Sequence, residues 1–213
     1  MSFFTSNRNC TCCPGPINGN PLNGLNEKVC IHTKKVFDSG LKQLTLENTT
    51  VTLANQTPPS PTAPLTYIGS TSNPGTTVTN LTIERLTDRP NYARVSGNAV
   101  IPLTVSYTDA SGIPGSGTSS VSVPFDVILF VPQPSLVPYN IEAYGNAIST
   151  IGTYVTTDTF SLTLCVTLIV RVVVEADLCV PTYGYCEIPP FTEFSEDQCS
   201  GVFELPLYPR ATQ

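Results

Sequence analysis

The stretch FSLTLCVTLIVRVVV, residues 160–174, decides the fold class, because every even-numbered position in it is apolar. Successive side chains of a β-strand point to opposite faces, so this alternation predicts a half-buried strand with its even positions in the core. The odd positions are mostly polar and include Cys165, which we expect on the face opposite the core. The stretch is too short for a transmembrane helix and carries the charged Arg171, so we expect no membrane partner.

Alternating apolar residues recur on both sides of this strand, whereas no segment shows the 3.6-residue stripe of an amphipathic helix. The proline-rich QTPPSPTAP (56–64) predicts a surface loop, and SGIPGSGTS (111–119) a flexible hairpin tip. Many short strands separated by turns favour an all-β fold, which we predict to be a jelly-roll-like antiparallel β-sandwich. The other predicted strands lie within 29–31, 44–53, 76–86, 92–107 and 119–131, with two short ones in 139–155.

The composition of the 213 residues supports this fold and excludes one class of function. Charged residues make up only 12%, with 20 prolines and 14 glycines, which is typical of strands and turns. The net charge is -6 and basic residues are scattered, so we expect no nucleic-acid binding. Residues 1–26 are rich in Cys, Pro and Gly and predict an extended, flexible N-terminal arm, followed by the sandwich body at 27–213.

The cysteines indicate an oxidising destination. Eight cysteines are unusual for a protein whose thiols are kept reduced. The N-terminal sequence turns polar almost immediately, so we expect no conventional signal peptide. Both expectations hold if the protein becomes extracellular without secretion, for example when the producing cell lyses and leaves a spore. The cysteines are Cys10, Cys12, Cys13, Cys30, Cys165, Cys179, Cys186 and Cys199.

Cys10, Cys12 and Cys13 are crowded on the predicted arm, in the sequence CTCCPGP. Disulfide geometry does not allow all three to pair with one another, so they need partners elsewhere. Those partners lie either within the same fold or in a neighbouring subunit, and the sequence leaves both alternatives open. Long alternating strands with open edges could also pair between subunits, and contacts of this kind that do not close generate filaments.

Catalytic and metal-binding patterns are weak. His32 is the one histidine, and it shares a predicted strand face with Cys30, which suits a nucleophile pair or half a metal site but more often reflects an ordinary surface strand. The cysteine spacings are not those of zinc sites. We expect no enzymatic activity, cofactor or metal.

Two further patterns have simple explanations. The acidic residues Glu193, Glu196 and Asp197 near Cys199 could bind calcium weakly, but a solvated acidic loop is the simpler interpretation. Asn48, Asn55 and Asn80 each begin an Asn-x-Thr sequon, which arises readily by chance in so threonine-rich a chain.

The N-terminal CTCCPGP, the all-β body and the cysteines in its late strands resemble the endospore-appendage fibre subunits of spore-forming Firmicutes. The segments EKVCIHTKKVFDSGLKQLTLEN (27–48) and YGYCEIPPFTEFSEDQC (183–199) also look like uncharacterised clostridial, spore-associated proteins. The resemblance implies jelly-roll subunits that pair edge strands, with Cys10, Cys12 and Cys13 forming disulfides to a subunit in the next turn. It makes Cys30 and Cys165 candidates for intermolecular bonds, with Cys179, Cys186 and Cys199 as other disulfide candidates.

These observations predict a structural subunit that assembles with copies of itself into an extracellular, disulfide-cross-linked filament or surface layer. The alternative is a carbohydrate-binding or adhesive β-sandwich, whose binding surface would need exposed aromatic side chains. Nine tyrosines permit that alternative, and the lack of tryptophan weakens it.

Overall fold

The computed structural model describes residues 19–25 and 27–184, and within these ranges the chain forms eight β-strands and no helix. The predicted all-β, antiparallel, sandwich-like fold is confirmed. Two compact units are present. The larger is Lys34–Ala176, and the described part of the other consists of residues 19–25, 27–33 and 177–184.

The strands follow one another as β1 (Glu27–Thr52), β2 (Ala54–Thr57), β3 (Thr66–Ser72), β4 (Thr77–Arg85), β5 (Tyr92–Thr108), β6 (Pro114–Phe130), β7 (Tyr139–Thr156) and β8 (Thr159–Thr182). Their spatial order is β1-β8-β7-β3-β5-β6-β2, and β4 pairs with β5. In the backbone ladder, β3 meets β7 at one register pair, Ser70 with Ser149. This pair connects the β1-β8-β7 layer to the layer built around β5 and β6.

Buried side chains from the two layers meet in one core. On β8 the even positions from Phe160 to Val172 are buried as predicted, whereas at the end of the stretch Val174 is half-buried and the odd-numbered Val173 is buried. The facing positions of β5 and β6 are buried as well. Phe160 connects the layers, because its ring lies 6.4 Å from that of Tyr107 on β5 and 5.8 Å from that of Tyr67 on β3.

Residues 139–155 form one strand, β7, and not the two short strands that the sequence predicts. Gly145, within this strand, has a packing role. A Cβ atom at this position would lie 2.4 Å from the buried Ile101 Cδ1, so only glycine lets the strand approach the core this closely.

The predicted hairpin tip at 111–119 is also wrong in extent, since β6 already begins at Pro114. The connection of residues 109–113 is organised by the Asp109 carboxylate, which accepts hydrogen bonds from the N–H groups of Ile113 (2.8 Å), Ser111 (2.9 Å) and Thr62 (3.3 Å). The Ile113 N–H is the largest influence lowering the pKa of Asp109, with the Thr62 and Ser111 N–H groups adding to it and burial opposing it.

Three asparagines of the sequons have a backbone role. Asn48, Asn55 and Asn80 all have positive φ, at 50°, 49° and 52°. Asn55 and Asn80 lie where the pairing register of β2 and β4 shifts. Asparagine tolerates this left-handed conformation better than other side chains, which accounts for its recurrence at strand irregularities.

Candidate functional site

Cys165 lies on the outer side of the β1-β8-β7 layer, as its odd position on β8 predicts, and its thiol is exposed and unbonded. Its register partner on β7 is Ile148, and Thr163 pairs with Ile151 in the same way. Gln43 on β1 approaches Thr167, with Nε2 3.5 Å from Oγ1. We call this surface the Cys165 face and define it as Gln43, Thr45, Ile148, Ile151, Thr163, Cys165 and Thr167.

None of the seven side chains of the Cys165 face is charged, and two of them expose apolar surface. Ile148 and Ile151 are 49% and 67% exposed. A shallow, open depression of about 320 Å³ lies over the β1-β8 part of the face. It is lined by Gln43, Thr45, Cys165 and Thr167 and by Leu44 and Val166, which lie between them in the sequence. An exposed, weakly polar sheet face of this kind suits contact with another protein surface better than enclosure of a small ligand.

One ion-pair cluster on the larger unit joins strands β1, β7 and β8. Lys34 Nζ donates to Glu142 Oε1 at 2.5 Å and lies 3.9 Å from Glu175 Oε1. The hydrogen bond from Lys34 lowers the pKa of Glu142, the bond from the Tyr144 hydroxyl adds to this effect, and the same contact with Glu142 raises the pKa of Lys34. The pKa of Glu142 and the pKa of Lys34 both move away from neutral pH, so both side chains stay charged at neutral pH. Neither is poised for proton transfer.

Cys30 and His32 belong to the smaller unit, and both are exposed on β1. The His32 ring engages a carboxylate that the sequence analysis did not single out: its Nδ1 lies 2.8 Å from Asp177 Oδ1. Each side chain is 68% exposed, so solvent screens the interaction. Within residues 19–25 and 27–184, no group of three or more His, Cys, Asp and Glu side chains could hold a metal ion.

Three strands have an edge that no other described strand covers. β1 and β2 stand at the two ends of the strand order and pair with β8 and β6, respectively, and β4 pairs with β5 alone. β4 is longer than the four-residue β2, and its irregularity at Asn80 interrupts the regular ladder. Its free edge can accept a strand from another chain on either side of that interruption.

Several predicted site residues lie outside the described part of the chain: Cys10, Cys12, Cys13, Cys186, Cys199, Glu193, Glu196 and Asp197. Of the predicted arm, residues 19–25 are described. They form a turn in which the Asn23 N–H donates to the Asn20 carbonyl at 3.1 Å. The Tyr183 hydroxyl donates to the Pro21 carbonyl of the same turn.

The described residues contain no helix that could span a membrane. Comparison with protein-family models, with curated proteins and with solved structures found no significant match. The function is therefore inferred from the surfaces of the molecule itself.

Proposed function

We propose that this protein is a structural subunit that assembles with copies of itself into an extracellular, disulfide-cross-linked filament or surface layer, of the kind found on spores. The observation that carries the proposal is the Cys165 face, where an exposed thiol lies within an uncharged, partly apolar sheet surface. No other cysteine lies among the residues of this face, so a disulfide formed there needs a sulfur from another part of the protein or from another subunit.

The composition of the face supports contact between subunits. Exposed isoleucines and threonine methyl groups lose water when they are covered, which stabilises a complex in proportion to the apolar area removed from solvent. Uncharged side chains add no desolvation penalty of the size that a buried charge carries. A neighbouring subunit could therefore cover this face before any disulfide forms, and the bond would then make the contact permanent.

The edge strands β2 and β4 supply a second type of contact. Adding a strand from a neighbour to a free edge satisfies unpaired backbone N–H and C=O groups, and repetition of such a head-to-tail contact extends a filament. The N-terminal cysteines are the proposed partners of thiols on the next subunit, as the resemblance to endospore-appendage fibres implies. In this proposal strand pairing and face contacts provide the shape, and disulfides provide resistance to heat and detergent.

The test is electron microscopy and gel electrophoresis of the full chain purified in oxidising buffer. We expect filaments or sheets that withstand heating in detergent and release subunits only after a reductant is added. Monodisperse monomers in oxidising buffer would overturn the proposal and would make glycan-binding screens the next experiment. Removal of residues 1–26 should leave a body with the same β-sheet circular dichroism but with fewer covalently linked subunits.

Point variants separate the covalent contribution from the face contact. Cys165→Ser should reduce the covalently linked fraction, whereas Thr163→Ser, on the same face and with no change in thiols, should behave as wild type. Ile151→Lys places a charge on the face, and we expect it to weaken assembly even though every cysteine remains. All three variants should keep the circular dichroism of the wild type, because these side chains lie outside the core.

A further inference from the structure

We propose that Cys30 and Cys179 form a disulfide with each other, within one chain, between strands β1 and β8. The inference differs from the resemblance-based assignment of Cys30 to a bond between subunits. It does not require assembly, because a monomer could carry the same bond. Its consequence for the proposed function is that Cys165 becomes the exposed thiol that remains for a neighbour among the described cysteines.

Side-chain contacts between the two strands indicate that these cysteines face each other. β1 and β8 are hydrogen-bonded neighbours, and His32 meets Asp177 across them at 2.8 Å. The strands run antiparallel, because contacts on the larger unit join Lys34 to Glu175 and Thr52 to Thr159. The residue number on β8 therefore decreases as the residue number on β1 increases. Cys30 is two residues before His32, and Cys179 is two residues after Asp177.

Residues two apart on a strand point to the same face, so the step from His32 to Cys30 and the step from Asp177 to Cys179 lead to facing positions. Facing residues on antiparallel strands have Cβ atoms about 4.5–5.5 Å apart, and the closer type of pair approaches the roughly 3.5–4.5 Å that a disulfide needs. The proposed bond therefore requires the two strands to move closer by about 1 Å, together with rotation of the two side chains.

Both thiols are exposed, which gives an oxidant access to them. The proposed oxidant is a small-molecule disulfide. One cysteine thiolate attacks it and releases one small thiol, forming a mixed disulfide. The second cysteine, as its thiolate, then attacks the sulfur of the first and releases the other small thiol. The two cysteine S–H bonds are lost, one S–S bond forms between Cys30 and Cys179, and the two electrons and two protons end on the two small thiols.

The bond would join two strands in a part of the chain that has little core. No described residue from 27 to 33 or from 177 to 184 is buried, in contrast to the many buried residues of Lys34–Ala176. Small units with few buried apolar side chains commonly depend on disulfides for stability. A covalent bond between β1 and β8 supplies such a constraint where the packing does not.

The experiment is disulfide mapping of the full chain after incubation with glutathione disulfide, followed by blocking of remaining thiols. Digestion with trypsin and chymotrypsin separates Cys179 from Cys186 and Cys199, because Tyr183 and Tyr185 lie between them. We expect a cross-linked peptide that contains Cys30 and Cys179, with loss of alkylation of both thiols. Finding Cys30 joined to another cysteine, or both thiols still alkylated, would overturn the inference.

Isotope mixing identifies the chain of origin. Equal amounts of light and nitrogen-15-labelled protein are mixed while reduced and are then oxidised. An intrachain bond gives peptides that are wholly light or wholly heavy, whereas a mixed peptide would show a bond between chains and contradict the proposal.

Two variants act as controls for the mapping. In Cys179→Ser, Cys30 should become open to alkylation, and in Cys165→Ser the peptide joining Cys30 to Cys179 should be unchanged. A monomeric protein that yields the peptide joining Cys30 to Cys179 would contradict the proposed self-assembly and support the disulfide. An assembled protein that lacks this peptide would support self-assembly and contradict the disulfide.

Discussion

Replacing Phe160 by alanine should weaken the contact between the two layers of the sandwich. Phe160 is fully buried, and its ring packs against Tyr107, Tyr67 and Tyr154 at centroid distances of 6.4, 5.8 and 5.8 Å. Deleting a buried phenylalanine ring removes transfer free energy and leaves a cavity, which together cost about 3–5 kcal/mol. For a chain of this length, that loss corresponds to a melting temperature lower by roughly 6–20 °C.

The free energy of unfolding can be measured by urea denaturation followed by circular dichroism and tyrosine fluorescence. Phe160→Leu, which keeps most of the volume, should lose clearly less than Phe160→Ala. The adjacent Ser161→Ala, on the opposite face of β8, should change stability by no more than about 0.5 kcal/mol. A loss below about 1 kcal/mol in Phe160→Ala would refute the conclusion that this ring joins the layers.

Three further perturbations test other parts of the structure. Gly145→Ala should lower the free energy of unfolding, measured by urea denaturation, by about 1–3 kcal/mol, because the new Cβ overlaps the Ile101 side chain. Adding Ile101→Val should recover part of this loss. An unchanged urea midpoint for Gly145→Ala would contradict the close approach of β7 to Ile101. Asp109→Asn should destabilise the protein near neutral pH, where the carboxylate holds the 109–113 connection. Because folding lowers the pKa of Asp109 below its ordinary 3.8, this contribution is complete above that value and disappears as the pH falls through the lower, folded pKa. The difference between wild type and Asp109→Asn in urea midpoint should therefore shrink as the pH is lowered progressively below 3.8, and a constant difference would show that the charge is not involved. Arg94→Ala, which removes an exposed ion pair with Asp126 on paired strands, should leave the melting temperature nearly unchanged, and a large loss would mean that solvent screens this pair less than its exposure implies.

Alternation along the sequence was sufficient to predict the core side of β8. The strand is half buried, so its period of two records directly which side chains face inward, and Cys165 could be placed outside from its odd position alone. The same logic predicted most of β5 and β6. The short β2 and β3 were not identified, because TYIGSTS in β3 has too few apolar positions to show a period.

Contacts that depend on how distant segments pair could not be predicted from local pattern. Nothing near His32 in the sequence indicates that it meets Asp177, since that contact follows from the register between β1 and β8. The role of Gly145 in β7 likewise depends on a distant residue, because Ile101 lies where a Cβ atom would be. Asp109 did carry a local signal, because an aspartate before a Ser-Gly turn commonly accepts backbone N–H bonds.

The pairing of β1 with β8 has a consequence for biosynthesis. The first described strand finds its partner in the last described strand, and the contact between His32 and Asp177 spans 145 positions of sequence. Closing so large a loop is slow, and β1 must wait with unpaired backbone groups until β8 has been synthesised. During that interval the strand is exposed to pairing with other nascent chains. Nascent chains stalled before residue 159 would lack this partner altogether, so production of the intact protein should depend on chaperones that shield unpaired strands.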